Sequence, residues 1–284
     1  MACTGVCPTR RFKPGGYADG LSERSRVMEV WFYREADMVD FRQFEAMTFD
    51  CYGTLIDWEH GIISVLAPLC ERCGVVARDN DILTAYARAE AHLERGYYRA
   101  YREVLREALK QVALHFEIPA TEIDPDALAD SLIRWRPFPD TVNSLRALSV
   151  YFRLGIISNI DDDLFGRTAD KLDTSFDCVT TAQTAGAYKP AYRIFRLASQ
   201  QLGVHPSRIV HVAQSRFHDI RPASALGWTT VWVDRRRGIP GSGATPDSSA
   251  RPDLTVFDLT SLCRIVRTQL GTPRRHMARA EWII

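Results

Sequence analysis

Four polar side chains in this sequence are predicted to lie just after buried strands, and their types suit nucleophilic catalysis. Asp50, Ser158 and Asp219 end or follow short apolar runs, and Lys189 stands just before a predicted helix. A carboxylate nucleophile needs a nearby cation such as Lys189, while a hydroxyl can hold a substrate oxygen and a second carboxylate can orient water. Each residue alone also has another explanation: a turn former at Asp50, a helix cap at Ser158, a surface lysine, or a helix N-terminal acid at Asp219.

The elements that must position these side chains alternate between strands and helices. Strands are predicted at 47–49, 154–158, 176–181, 208–213 and 229–233, with an edge strand at 254–257. Helices are predicted at 140–148, 162–172, 191–202, 220–226 and 260–270. Strands separated by helical lengths indicate an α/β fold with a parallel sheet and right-handed crossovers. Because the carboxyl ends of such strands converge on one crevice, the sequence predicts that the four residues form one site.

A helical block separates the first strand from the rest of the sheet. From 60 to 135 the apolar residues follow helical spacing, and the amphipathic stretch 84–116 contains Gly96, which is expected to break or bend the helix. We predict an N-terminal extension at 1–40, disordered at least up to Ser25, an α/β core at 41–60 and 136–284, and a helical cap at 61–135.

Composition narrows the class of protein. The chain has 284 residues, of which 46% are hydrophobic, and this is enough for one sizeable core and a smaller second unit. Because 36 Lys and Arg balance 35 Asp and Glu, no broad field of one sign favours nucleic acid as a partner. No apolar run reaches membrane-spanning length, and the first residues make a poor secretory signal. We therefore expect a cytoplasmic protein with seven reduced cysteines and no zinc site.

Four motifs, in order, resemble those of the haloacid dehalogenase superfamily. They are DCYGTL from Asp50, IISNID from Ile156, YKPAYRIF from Tyr188 and HVAQSRFHDI from His211. The resemblance runs from about residue 44 to 233, and the helical insert after the first motif is similar to the cap of the 2-haloacid dehalogenase branch. It implies a doubly wound, Rossmann-like sheet with an inserted cap, and hydrolysis of a small carboxylic acid through an ester on Asp50.

The resemblance also implies roles for the residues around the nucleophile. Thr54, Ser158 and Asn159 would position Asp50 and the substrate carboxylate, and water near Asp219 and Lys189 would hydrolyse the ester. These roles are carried over by motif position alone.

Two positions distinguish the branches of the superfamily. The phosphatases carry an acid two residues after the nucleophile, where this chain has Tyr52, a substrate-binding candidate that cannot act as an acid near neutral pH. They also bind magnesium through acids of the last motif, where Gln214 replaces one acid and Asp219 remains. Both changes favour metal-free attack on carbon, with no cofactor.

Other positions depart from the dehalogenase pattern. An arginine that holds the departing halide is expected where Ala87 stands; the adjacent Arg88 and the later Arg95 are candidates for its role. Arg88 would have to overcome the turn of about 100° that one residue makes on a helix. The last motif has Gln214 and Arg216 in place of Ser and Asn, and Phe195 replaces a tyrosine. His218 is expected either in the pocket or on the surface.

Three functions follow from this pattern. The first is a hydrolase that breaks a carbon–halogen bond of a small 2-haloacid. The second is a magnesium-dependent phosphatase for a small phosphate ester. The third is a catalytically weak member that binds a ligand or partner, in which residues 1–40 would matter more than Asp50. A homodimer formed through the cap is an expectation from the family.

Overall fold

The structure is a computed structural model, which describes residues 39–272. Six parallel strands form the sheet at its centre. The predicted extension up to residue 38 lies outside the described residues. In spatial order the strands are β3, β2, β1, β4, β5 and β6, which is the doubly wound order. Their bounds are β1 Ala46–Phe49, β2 Arg153–Ser158, β3 Cys178–Thr181, β4 Ile209–Ala213, β5 Thr229–Val233 and β6 Leu254–Val256. The predicted α/β fold with a doubly wound parallel sheet is confirmed.

The central strands are buried on both faces. All four residues of β1 and all five residues of β4 are buried, as expected of a parallel sheet covered by helices on each side. β1 pairs with β2 on one side and with β4 on the other. The strand order therefore reverses between β1 and β4, and a crevice for ligands is expected at the carboxyl ends of these two strands.

Helices cover the sheet and fill the chain between β1 and β2. None of the helices in the described part of the chain is both long and apolar enough to cross a membrane. The helices are α1 Trp58–Arg72, α2 Asp79–Leu93, α3 Tyr101–His115, α4 Ala127–Ser131, α5 Thr141–Leu148, α6 Asp162–Leu172, α7 Ala182–Ala185, α8 Tyr192–Leu202, α9 Arg221–Ala225 and α10 Leu259–Leu270, with short 3₁₀ turns at 41–43, 120–122, 132–134 and 206–208 and a π-helical turn at Arg216–Ile220.

Gly96 separates α2 from α3 as predicted. Its φ angle of 91° lies in the left-handed region, which glycine adopts without the steric cost of a Cβ atom. The long amphipathic stretch is therefore two helices, which pack against each other. This turn places the last turn of α2 and the first turn of α3 side by side.

The first turn of α3 is anchored to the loop after β2. Asp161 accepts hydrogen bonds from the Tyr98 hydroxyl at 2.5 Å and from the Tyr101 backbone N–H at 2.7 Å. The Tyr188 hydroxyl donates to the Arg99 carbonyl oxygen at 2.8 Å. These bonds hold the helical block over the carboxyl ends of the strands. The division into a core and a cap remains a prediction.

Candidate active site

Lys189 joins the two predicted catalytic aspartates. Its ammonium donates to Asp50 Oδ1 at 2.7 Å, to Asp219 Oδ1 at 2.8 Å and to the Ile157 carbonyl oxygen at 3.0 Å. All three N–H groups are therefore used. Asp50 follows β1, Lys189 follows β3 and Asp219 follows β4, so the convergence comes from the parallel strand order. We call these three residues the strand-end cluster.

Burial sets the charges of the strand-end cluster. Lys189 is only 2% exposed, and burial alone would lower the pKa of its ammonium, but the carboxylates of Asp219 and Asp50 outweigh burial and raise it. Burial would raise the pKa of Asp219, yet Lys189 and the bond from His211 hold it below its usual value. Burial raises the pKa of Asp50, and Lys189 limits that rise. The shared ammonium therefore favours the charged form of both neighbouring carboxylates against the effect of burial.

Both carboxylate oxygens of Asp50 are held in place. The Thr54 hydroxyl donates to Asp50 Oδ2 at 2.5 Å, and the Gln214 backbone N–H donates to the Thr54 hydroxyl at 2.8 Å. Thr54 lies behind Asp50 and is not among the residues that line the cavity. It therefore holds the Asp50 carboxylate from the side away from the cavity.

The two residues after Asp50 lie in different surroundings. Cys51 is fully buried and does not line the cavity, and burial raises the pKa of its thiol well above its usual value. Tyr52 lines the cavity, and its hydroxyl shares a 2.7 Å hydrogen bond with the Thr168 hydroxyl. Burial also raises the Tyr52 pKa well above its usual value, so this phenol stays protonated near neutral pH.

His211 supports the far side of Asp219, and the sequence analysis did not identify it. Its Nε2 lies 2.9 Å from Asp219 Oδ1, and its Nδ1 lies 2.9 Å from the Thr48 hydroxyl. An ionised Asp219 accepts from Nε2, so in the neutral ring Nδ1 accepts the Thr48 proton. Phe195, which stands where the family pattern has a tyrosine, packs edge-on against the His211 ring, and 5.4 Å separates the two ring centroids. The sequence feature that could have identified His211 is that it is the one polar residue in the apolar run of β4.

Ser158 and Asn159 lie where the sequence predicts, at the end of β2. Ser158 is 1% exposed, lines the cavity, and its hydroxyl has no hydrogen-bond partner within the described residues. Asn159 also lines the cavity; its Oδ1 accepts from the Lys189 backbone N–H at 2.6 Å, and its Nδ2 donates to Glu94 Oε2 at 3.0 Å. Asn159 thus fixes the backbone of the lysine loop.

Arg88 does not face the cavity, which corrects its predicted role in substrate binding. It is exposed on α2, whereas the preceding Ala87 is 5% exposed. One residue turns a helical side chain by about 100°, and this rotation directs Arg88 to solvent. Arg95, the other candidate, is also exposed.

Two glutamates of the helical block line the cavity, and no arginine is among the lining residues from the described part of the chain. Glu90 on α2 is 3% exposed, the side chain of Glu94, directly after α2, is 6% exposed, and both residues line the cavity. Glu90 Oε1 accepts from the hydroxyls of Tyr86 at 2.8 Å and Tyr101 at 2.7 Å. We call Glu90 and Glu94 the glutamate pair; neither was predicted from the sequence, where both belong to an amphipathic helical stretch.

Burial raises the pKa of both members of the glutamate pair. The Glu90 pKa rises to about 7, with the two tyrosine hydroxyls opposing the rise. The Glu94 pKa rises well above its usual value because burial and the neighbouring Glu90 both disfavour its charge. Near neutral pH the pair therefore holds protons that exposed glutamates would have released.

His218 lies in the cavity rather than on the surface. It is 6% exposed, its Nδ1 is 3.2 Å from the Ser215 hydroxyl, and its Nε2 is 3.8 Å from Glu94 Oε2, beyond hydrogen-bond distance. Burial lowers its pKa to about 4, so the imidazole is neutral at pH 7.

The cavity between the strand ends and the helical block is small. Its volume is about 30 Å³. It is lined by Asp50, Tyr52, Trp58, Glu90, Glu94, Tyr101, Ser158, Asn159, Lys189, Ser215, His218, Asp219 and Thr245.

The donor set does not fit the magnesium site of the superfamily's phosphatases. Asp50 and Asp219 already share the Lys189 ammonium, and Gln214 replaces the further acid. A hard divalent cation takes about six oxygen ligands, preferably anionic. Within residues 39–272 no group of three or more His, Cys, Asp or Glu side chains is arranged to hold a metal ion.

Comparisons with known proteins find dehalogenases among the proteins similar to this chain. The (S)-2-haloacid dehalogenase of Pseudomonas fluorescens is 24% identical over 78% of this chain and 96% of its own length. The (S)-2-haloacid dehalogenase 4A of Burkholderia cepacia is 27% identical over 72% of this chain and 87% of its own. The structure of L-2-haloacid dehalogenase from Xanthobacter autotrophicus with chloropropionic acid covalently bound superposes with a TM-score of 0.64, at 23% identity, over 81% of this chain and all of that one.

The family assignment rests on more than half of the chain. A family model described as hydrolase, haloacid dehalogenase-like hydrolase, matches residues 44–227. This span contains all four motifs and the whole strand-end cluster. The protein belongs to the haloacid dehalogenase-like hydrolases.

Proposed function

We propose that this protein hydrolyses the carbon–halogen bond next to the carbonyl carbon of a small 2-haloacid or a close derivative. The observation that carries the proposal is the buried Asp50 carboxylate, held by Lys189 in a cavity where Tyr52 stands two residues after the nucleophile. The names of the similar dehalogenases support the same reaction class.

The first step is displacement at carbon. An oxygen of Asp50 attacks the carbon from the side opposite the halogen, the carbon–halogen bond breaks, and its electron pair leaves with the halide. An ester forms on Asp50 and the configuration of the carbon inverts. Thr54 and Lys189 hold the carboxylate for this attack. Because halide is a stable anion, the step needs no acid at the position of Tyr52.

The second step is hydrolysis of the ester. Water attacks the carboxyl carbon of Asp50, the ester oxygen leaves with the product as a 2-hydroxy group, and Asp50 is restored with release of one proton. Asp219 Oδ2 is buried and has no partner within the described residues, so it can accept a hydrogen bond from this water. The neutral ester no longer attracts Lys189, which can then stabilise the negative charge that develops on the attacked carbonyl.

The proposed reaction uses no metal. A phosphatase of this superfamily would need an acid near the leaving alcohol at position 52 and a further magnesium ligand at position 214, where this chain has Tyr52 and Gln214. Phosphate release is therefore kept as an outcome of the test.

The test measures halide release from (R)- and (S)-2-chloropropionate and phosphate release from small phosphate esters, each with and without chelator. We expect chelator-resistant chloride release that Asp50→Asn lowers by at least about 10³-fold, since the nucleophile is lost. The matched control is Asp170→Asn, an exposed aspartate on α6. Magnesium-dependent phosphate release would overturn the proposal, and no release of either product would favour a binding role.

A further inference from the structure

The glutamate pair bears on the form of the substrate, and this inference rests on the proposed function. A 2-haloacid at neutral pH carries a carboxylate. Besides the strand-end cluster, the charged or chargeable groups that line the cavity are Glu90, Glu94 and His218. The cavity therefore contains four carboxyl groups and one lysine.

The cavity offers an anionic group little to bind. All three N–H groups of Lys189 already donate to protein oxygens, and no arginine is among the lining residues from the described part of the chain. His218 is neutral at pH 7 because burial lowers its pKa to about 4. A substrate carboxylate would have to leave water without a free cation to receive it, and burying an unpaired charge in this way is strongly unfavourable.

The glutamates face the position that the substrate would occupy. Glu94 Oε2 lies 3.0 Å from Asn159 Nδ2, and Asn159 in turn binds the backbone of Lys189, so Glu94 is next to the strand ends rather than at the cavity mouth. Carboxyl oxygens at this place accept hydrogen bonds from N–H donors and repel carboxylates when ionised.

Unpartnered polar atoms show that the cavity is built for a polar ligand. Ser158 Oγ, His218 Nε2 and Asp219 Oδ2 are buried without hydrogen-bond partners within the described residues, and all three residues line the cavity. Buried polar groups without partners are rare and costly, so they indicate a ligand that completes them.

We propose that the substrate presents a hydrogen-bond-donating carboxamide, rather than a carboxylate, to Glu94 and Glu90. A 2-haloamide keeps the carbonyl group that activates the neighbouring carbon. Its N–H groups donate to the glutamate pair, and its carbonyl oxygen accepts from the Ser158 hydroxyl. Asp50 displaces the halide to form the ester, water cleaves the ester, and the products are a 2-hydroxyamide, halide and one proton.

Turnover provides the first test. Chloride release from 2-chloropropionamide and from 2-chloropropionate is measured with wild-type protein, with Asp50→Asn giving the background. We expect kcat/KM for the amide to exceed that for the acid by about tenfold or more. Glu94→Gln replaces one carboxyl oxygen with an NH₂ donor that the substrate N–H groups cannot use, so it should lower this ratio by at least about tenfold. The control is Glu71→Gln, an exposed glutamate on α1, and Glu90→Gln is the second variant if Glu94→Gln does not fold.

Binding provides a test that does not need turnover. Isobutyramide and isobutyrate have the shape of the two substrates without a leaving group, and their dissociation constants for wild-type protein can be compared by calorimetry. Tighter binding of the amide supports the inference even if no halide is released, in which case only the proposed function fails. Preferred turnover and binding of the acid would overturn the inference and leave the proposed function standing.

Discussion

The strand ends and the helical block stabilise buried carboxyl groups in opposite ways within one small cavity. In the strand-end cluster, two carboxylates share one ammonium at 2.7 and 2.8 Å, and burial is offset by opposite charge. In the glutamate pair, two carboxyls are equally buried, but their partners are neutral tyrosine hydroxyls and an amide. The Lys189 ammonium favours the charged form in the strand-end cluster, while burial with only neutral donors raises the pKa of both members of the glutamate pair. In the proposed reaction the strand ends therefore supply the reactive groups, and the helices supply the groups that select the substrate.

Removal of the Lys189 ammonium is expected to have the largest effect on the difference between the two regions. Lys189→Met leaves Asp50 and Asp219 as unpaired buried carboxylates, so we expect unfolding free energy at pH 7 to fall by about 3–5 kcal/mol and halide release to be lost. Urea denaturation measures the first effect. Lys110→Met, at an exposed lysine of α3, is the control. A loss below about 1 kcal/mol would show that the aspartates do not depend on the lysine for their burial.

The raised pKa of Glu90 in the glutamate pair can be tested through the pH dependence of protein stability. The pKa of Glu90 is about 7 in the folded protein against its ordinary value of 4.5, so the folded state retains a proton that the unfolded chain releases. The stability contributed by this proton is present below pH 4.5 and is lost as pH rises to about 7. Glu90→Gln keeps an oxygen for both tyrosine hydroxyls and does not titrate.

The measurement is the unfolding free energy of wild type and Glu90→Gln at intervals from pH 4.5 to 7.5. As pH rises across this range, we expect the unfolding free energy of the wild type to fall by about 2–3 kcal/mol relative to that of the variant. A difference that stays constant with pH would mean that Glu90 has an ordinary pKa and that the glutamate pair is charged like the strand ends.

The smallest expected effect concerns Arg88. Because this side chain is exposed, Arg88→Ala should change kcat/KM for the better of the two chloropropionyl substrates by less than about twofold. The comparison is with Glu94→Ala, which removes a group of the cavity lining. A loss of tenfold or more on Arg88→Ala would return the halide-binding role to that residue.

The strand-end cluster could be predicted from sequence because backbone geometry alone determines it. Asp50, Lys189 and Asp219 follow strands whose order and direction are indicated by apolar runs and helical spacing, and parallel strands end at one edge of the sheet. Thr54 was also found, four residues after Asp50, although its contact is with the nucleophile rather than with the cavity.

The helical half of the site could not be predicted in the same way. In the sequence, Glu90 and Glu94 resemble the solvated glutamates of α3. They differ only because they lie on the helix face that packs toward the core, and which face does so depends on how the helices pack. Arg88 shows the same limit, since one residue of helical rotation moves a side chain from cavity to solvent. The core and cap boundaries and the homodimer remain predictions.

Cys51, directly after the nucleophile, has a consequence for the survival of the enzyme. Activated alkyl halides modify thiolates irreversibly, and a thiolate is a stronger nucleophile than a carboxylate. Here the thiol is fully buried, lies outside the cavity lining and has a pKa raised well above its usual value by burial. The chain thus places an oxygen nucleophile within reach of the electrophile and keeps the adjacent sulfur protonated and out of reach, which protects the enzyme from inactivation by its own substrate.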